Sequence, residues 1–154
     1  MKIVKIVVAV VVIDLLIAAY LLPIGPVPGF IIGGTPTTTP TAWPDTSGVH
    51  EISLGVAGTL PRVVIIWVVD HEGELHVVGS KESGWVNMLG EGGPVEMRLG
   101  ENTYALTAVR VTEGFEGILA SYIGKYEKDY PEMIAGFPKL EEARDSVGVF
   151  RLER

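Results

Sequence analysis

The chain has 154 residues, 12 Lys and Arg against 19 Asp and Glu, a formal net charge of −7 and no Cys. That length allows one domain with a real core, and the missing Cys excludes disulfides, thiolate metal sites and a Cys nucleophile. An acidic balance also argues against a nucleic-acid partner, because it repels phosphate backbones.

The N-terminus reads MKIVKIVVAVVVIDLLIAAYLLPIGPVPGF, and from Ile6 to Leu22 the only strongly polar residue is Asp14. As a helix, residues 3–22 span about 30 Å, the thickness of a bilayer core. This predicts a transmembrane anchor whose partner is the lipid bilayer. Lys2 and Lys5 precede the run and no charge follows until Asp45, so the positive-inside tendency puts the N-terminus in the cytoplasm and the rest in the periplasm or outside the cell. A cleaved signal peptide is the rival reading, but Leu21-Leu22-Pro23 is a poor cleavage site. Asp14 costs about 2.5–3.5 kcal/mol at mid-membrane. It marks either a helix–helix contact or a snorkelling or protonated side chain in a single span. Beyond residue 22, 10 basic and 18 acidic residues leave −8, so anionic lipid is offered no polybasic grip.

Residues 23–48 hold most of the ten prolines, with many Gly and Thr. Pro removes backbone donors and Thr-rich tracts bury little, so this reads as a linker. Phe30, Ile31, Ile32 and Trp43 are its apolar exceptions, suited to packing on the bilayer surface or along the globular part.

The third unit is residues 49–154. Ile52, Leu54 and Val56 alternate with small or polar residues, the pattern of a half-buried strand. PRVVIIWVV (61–69) reads as a strand covered on both faces, and LHVVG (75–79) returns as a hairpin around Gly73. Residues 80–93 read as loop with one helical turn at most. PVEMRL (94–99) and TYALTAVRV (103–111) form a second hairpin. Phe115, Ile118, Leu119, Tyr122, Ile123 and Tyr126 then step by three and four, one apolar face of a helix with Thr112 as its predicted N-cap. A short helix near 139–145 and the strand VGVFRLE close the chain. The fold class expected is mainly β (α+β): a six-stranded antiparallel barrel with a flanking helix, preceded by one transmembrane helix.

Chemistry-bearing motifs are few. His50, His71 and His76 lack metal-ligand spacing, so no metal is expected. No Ser sits in a Gly-x-Ser-x-Gly elbow, and no phosphate-binding loop of the NTPase type occurs. GSKESGW (79–85) stands out. Gly79 and Gly84 permit close backbone approach, Ser80 and Ser83 add hydroxyls, Lys81 adds charge and Trp85 offers an aromatic wall. It reads as a solvent-facing turn or as the anionic end of a binding pocket.

The stretch from Pro61 to Gly114, with its strand opening on a basic residue, hairpin, Ser/Lys turn, Trp and Asn-x-Leu-like segment, then P-V into a second hairpin, resembles the flavin-binding split-barrel superfamily. Within it, the similarity is to the deazaflavin-dependent nitroreductase and quinone-reductase-like branch. The resemblance covers about residues 50–154. It implies Arg62 at the coenzyme phosphate, with Ser80 and Lys81 continuing that pocket. It implies Trp67 and Val69 at the ring, followed by Trp85 and Asn87, and Tyr126 and Tyr130 near the substrate. It also implies FMN or a deazaflavin as cofactor, a homodimer or membrane-complex subunit, and reduction of a quinone- or nitro-like apolar acceptor. The alternative is a non-enzymatic tethered barrel that binds a ligand or serves as an accessory subunit. From the residues alone Trp67 suits core, Arg62 a strand end in water, Trp85 a plug at the barrel mouth and the tyrosines ordinary helix packing. Only one Arg stands in GVAGTLPR, little countercharge for a multiply charged coenzyme tail.

Overall fold

The computed structural model describes residues 2–24 and 27–154. Gly25 and Pro26 of the expected linker, and the side chains of Lys2 and Ile3, lie outside the described residues.

A run dominated by Val, Ile, Leu and Ala, broken by Lys5, Asp14 and Tyr20 and free of Gly and Pro, gives helix α1, Lys2–Leu21. It buries none of Val4–Leu21 against the rest of the chain and is long and apolar enough to cross a membrane. Pro23 stops it, having no N–H to continue the ladder. The chain then doubles back: the N–H groups of Phe30 and Ile31 donate to the Leu21 carbonyl at 2.6 and 2.9 Å.

Six strands follow: β2 (Glu51–Val56), β3 (Arg62–His71), β4 (Glu74–Ser80), β5 (Gly92–Leu99), β6 (Asn102–Arg110) and β7 (Val147–Glu153). They pair antiparallel in the cyclic order β2-β3-β4-β7-β6-β5 and back to β2, closing a barrel. Closure leaves no long edge unpaired. The two-residue β1 (Thr35–Pro36) adds parallel to Asn102–Thr103 of β6, ahead of where β7 takes over that edge.

Side-chain alternation sorts the faces. Ile52, Leu54, Val56, Val68, Leu75, Val77, Val95, Met97, Leu106, Phe150 and Leu152 fill the interior. Residues 84–89 form a short helix, α2 (Gly84–Leu89), where a loop with at most one helical turn was expected. It drives Trp85, Val86 and Leu89 into one mouth of the barrel. Trp43 packs on the same core from the Pro/Thr-rich segment, edge-on to Tyr104 with ring centroids 5.3 Å apart.

A second layer covers the outside of β3, β4 and β7: α3 (Phe115–Tyr126), α4 (Pro131–Ala135) and α5 (Leu140–Ser146). The three-and-four spacing of α3 buries Phe115, Ile118, Leu119, Tyr122 and Tyr126, each contributing about 1.5–3 kcal/mol by area. Its N-cap is Gly114, not Thr112; φ of 69° there turns the chain sharply, a conformation Gly adopts without steric cost.

Candidate functional site

Outward positions on neighbouring strands carry small side chains: Gly55 on β2, Pro94 on β5 and Ala105 on β6. Small residues leave room, and the Phe30–Ile32 segment runs over the space they leave. Gly29 and Val63 hold that segment in place by exchanging backbone hydrogen bonds, both 2.8 Å. Arg98 adds a bond from Nη1 to the Ile32 carbonyl at 3.4 Å. The result is a predominantly apolar groove of about 550 Å³ walled by Phe30, Ile32, Val63 and Ala105. A second hollow of about 290 Å³ shares Phe30 and Pro61 with it and adds Leu60, Arg62 and Met88. The first volume lies within the ~300–1,000 Å³ usual for small-molecule sites.

Arg62 is half-buried at the start of β3. Its guanidinium lies against Gly84, where a Cβ would stand 1.9 Å from Nη1. Among the described residues it has no carboxylate partner and donates to no acceptor. The structure thus brings Arg62 to the GSKESGW turn. The turn's own polar groups are engaged within the chain. Ser80 Oγ accepts from the Glu82 N–H at 3.2 Å, and Ser83 Oγ donates to the Ser80 carbonyl at 2.7 Å. Asn87 Nδ2 donates to the Ser83 carbonyl at 3.1 Å. Lys81 Nζ is drawn away to the Arg144 carbonyl at 2.6 Å, and Lys81 lines a separate hollow of about 190 Å³ with Arg110 and Arg144. Trp85 is buried, its ring 5.8 Å from that of Phe150. It occupies the space above Gly79, where a Cβ would meet Cζ2 at 2.2 Å.

The remaining residues of the implied site lie elsewhere. Trp67 points outward from β3 into the helical layer, stacked on Tyr126 at 4.2 Å and tilted against Tyr130 at 4.8 Å. None of the three lines the groove. The Tyr126 hydroxyl faces the His50 and Val68 carbonyls, both at 2.7 Å, and accepts from the Val68 N–H at 3.1 Å. Burial holds its proton well above the ordinary phenol range. Tyr130 hydrogen-bonds His50 Nδ1 at 3.1 Å, while His50 Nε2 faces Asp129 at 3.3 Å.

Two features were beyond sequence reasoning. Lys125 donates to three carbonyls, Thr46 at 3.0 Å, Val49 at 2.7 Å and Val68 at 2.7 Å, a full set for an ammonium. The groove itself joins residues far apart in the chain, its only local signal being the apolar Phe30-Ile31-Ile32 inside a Pro/Thr-rich tract. Among the described residues no cluster of three metal-ligating side chains occurs.

No family model matches the chain, and no curated protein matches it. Solved structures do. A NimC/NimA family protein of Clostridium acetobutylicum superposes with a TM-score of 0.50 at 14% identity, over 67% of this chain and 73% of that one. HutZ, the heme storage protein of Vibrio cholerae, superposes with a TM-score of 0.50 at 18% identity, over 68% of this chain and 80% of that one. At such identities the likeness is one of fold, and the fold it supports for this chain is the split barrel.

Proposed function

We propose that this protein is a membrane-anchored split barrel that binds FMN or a deazaflavin in the groove beneath Phe30 and Ile32, and reduces a quinone- or nitro-like apolar acceptor. The observation that carries the reading is the pairing of a large apolar groove with one uncommitted cation beside it. The groove suits a flat ring system, and Arg62 suits a phosphate at its end. Arg154 also lines the groove but is paired with Glu74, and Arg62 by itself fits the single phosphate of FMN better than the longer anionic tail of a deazaflavin coenzyme.

The chain's own part is binding, orientation and dryness. Phe30, Ile32 and Val63 exclude water from the ring, and the Gly29–Val63 pairing fixes the segment that covers it. A flavin, when bound, supplies hydride transfer. Ser80, Lys81, Trp85 and Asn87 then act by building the turn and helix on which Arg62 rests. Trp67, Tyr126 and Tyr130 support the wall behind β3. Helix α1 holds the domain outside the cytoplasm, next to lipid-soluble acceptors, where tethering raises their effective concentration.

The second reading, a non-enzymatic tethered barrel, is favoured by the locked hydroxyl of Tyr126, which has no freedom to exchange a proton with a substrate. Titrating the full chain in detergent with FMN and with a deazaflavin, and recording the visible spectrum, separates the two. Binding that weakens in Arg62→Ala supports the reductase reading. No binding of either at micromolar concentration leaves the non-enzymatic barrel.

A further inference from the structure

We propose that the barrel does not hang free of its anchor but rests on the bilayer, with the Leu60 loop and Met88 of α2 in the headgroup region, so that the apolar groove opens to lipid. The inference rests on the reading of α1 as a membrane helix. It goes beyond that reading in fixing which surface meets the membrane.

Three observations carry it. The first is the clasp. Phe30 and Ile31 bond back to Leu21, the last residue of α1, and Gly29 pairs with Val63 two residues into β3 at two bonds of 2.8 Å. The ring of Phe30 also lies 5.0 Å from that of Tyr20. The helix end is therefore joined to the α2-capped mouth of the barrel by backbone pairing, not by a free tether. The second is the apolar surface around that junction. Leu60 is 71% exposed, Ile24 55%, Val27 57% and Met88 38%. Leu60 and Met88 border the hollow lined by Pro28, Gly29 and Phe30, so they sit beside the helix exit. Large side chains that stay in water beside a membrane helix find cover in the interface. The third is charge. The chain carries none between Asp14 and Asp45, and none from Ala57 to Pro61, in a domain otherwise rich in carboxylates. Arg62 is the charged side chain in the hollow, and a cation is tolerated at headgroups where a carboxylate is repelled.

The geometry also narrows the ligand. The hollow beside Leu60 shares Phe30 and Pro61 with the 550 Å³ groove. A molecule dissolved in the bilayer reaches the groove without crossing water, which selects apolar, lipid-partitioned compounds over soluble ones.

The chain has no Cys, so single labels are clean. Leu60→Cys, Met88→Cys, Ile13→Cys within α1 and Glu101→Cys at the far β5–β6 turn are each labelled with an environment-sensitive fluorophore. The full chain is placed in phosphatidylcholine vesicles carrying either a lipid spin-labelled just below the headgroup, which reaches groups within about 5–10 Å of the interface, or a lipid spin-labelled near the acyl-chain end, which reaches position 13 at mid-bilayer. The expected result is a blue shift and loss of emission at positions 13, 60 and 88, and neither at 101. Quenching at 13 with positions 60 and 88 behaving like 101 overturns the docking and leaves the anchor standing. No quenching at 13 removes the anchor and the docking together.

Discussion

Trp67 of β3 and Tyr126 of α3 stack nearly face to face, ring centroids 4.2 Å apart and planes 15° apart. The pair joins the barrel wall to the helical layer, and Tyr126 is fully buried with its hydroxyl threaded between strand carbonyls. Tyr126→Phe keeps the stack and removes the hydroxyl, leaving the buried Val68 N–H only its 3.4 Å bond to the His50 carbonyl. An expected loss of about 1–3 kcal/mol follows, read as a lower urea midpoint at unchanged m. Trp67→Ala removes the ring itself and costs about 3–5 kcal/mol. Equal effects of the two would mean that the hydroxyl, not the stack, carries the junction.

What the sequence discloses here is what is local. Ile52, Leu54 and Val56 alternate because one face of β2 is core, and residues 115–126 step by three and four because one face of α3 is core. Both patterns survive in a single chain. Closure of six strands is legible because each strand is its own apolar segment bounded by turn residues, and edges must be covered. The site was legible only in part. Arg62 does meet Gly84, yet Lys81, two residues beyond Gly79, is captured by Arg144, 63 residues away. Nothing near Lys81 announces that partner. Trp85, readable from the sequence as an aromatic wall or as a plug at the barrel mouth, is turned inward by α2. The Pro/Thr-rich tract looks like free linker because its composition buries little. Its backbone pairs with β3 and β6 all the same, at Gly29, Thr35 and Thr37.

Lys125 tests that last point. Its ammonium draws together the Thr46 and Val49 carbonyls of the segment leading into β2 and the Val68 carbonyl of β3. Burial pushes its pKa below the usual value, with Asp70 and Asp45 opposing. Lys125→Met fits the aliphatic stem and removes the three charge-assisted bonds to the Thr46, Val49 and Val68 carbonyls. The expected cost is about 1.5–3 kcal/mol, with faster hydrogen exchange at the Val49 amide, which bonds to Thr46. Lys125→Arg is expected to fail as a replacement, because a planar fork does not reproduce three bonds from one nitrogen. Full rescue by Arg would show that charge alone matters.

His76 supplies a pH dependence. It is 4% exposed and its Nδ1 donates to the Glu74 carbonyl at 2.9 Å. Burial lowers its pKa from 6.5; the Glu74 carbonyl bond and carboxylate oppose, while His71 and Arg151 add to the lowering. The folded value therefore lies below the unfolded one. Under 6.5 the unfolded chain binds the proton more readily, so the stabilisation present above 6.5 is lost as pH falls through the folded value. Urea midpoints should decline across that window in the wild type and decline less in His76→Phe, which has nothing to protonate there. Parallel declines in both would assign the effect to carboxylates.

Gly84→Ala separates the role of Arg62 from the stability of its surroundings. A Cβ at position 84 would stand 1.9 Å from Arg62 Nη1 and 2.8 Å from Cζ. The obstructing atoms are the far end of a flexible side chain, so the guanidinium moves aside and the backbone does not. Gly84 opens α2, where Ala is at least as good a helix former, and the unfolding free energy should change by no more than about 0.5 kcal/mol. The ligand should respond differently. If Arg62 meets the phosphate of FMN, a charge-assisted bond of about 1.5–3 kcal/mol is lost, a rise in Kd of about 10- to 100-fold. Arg62→Ala should weaken binding to a similar degree. The double variant should add little to either, since both substitutions remove one interaction. Additive losses, or tight FMN binding in Gly84→Ala beside weak binding in Arg62→Ala, would place the phosphate away from the α2 junction.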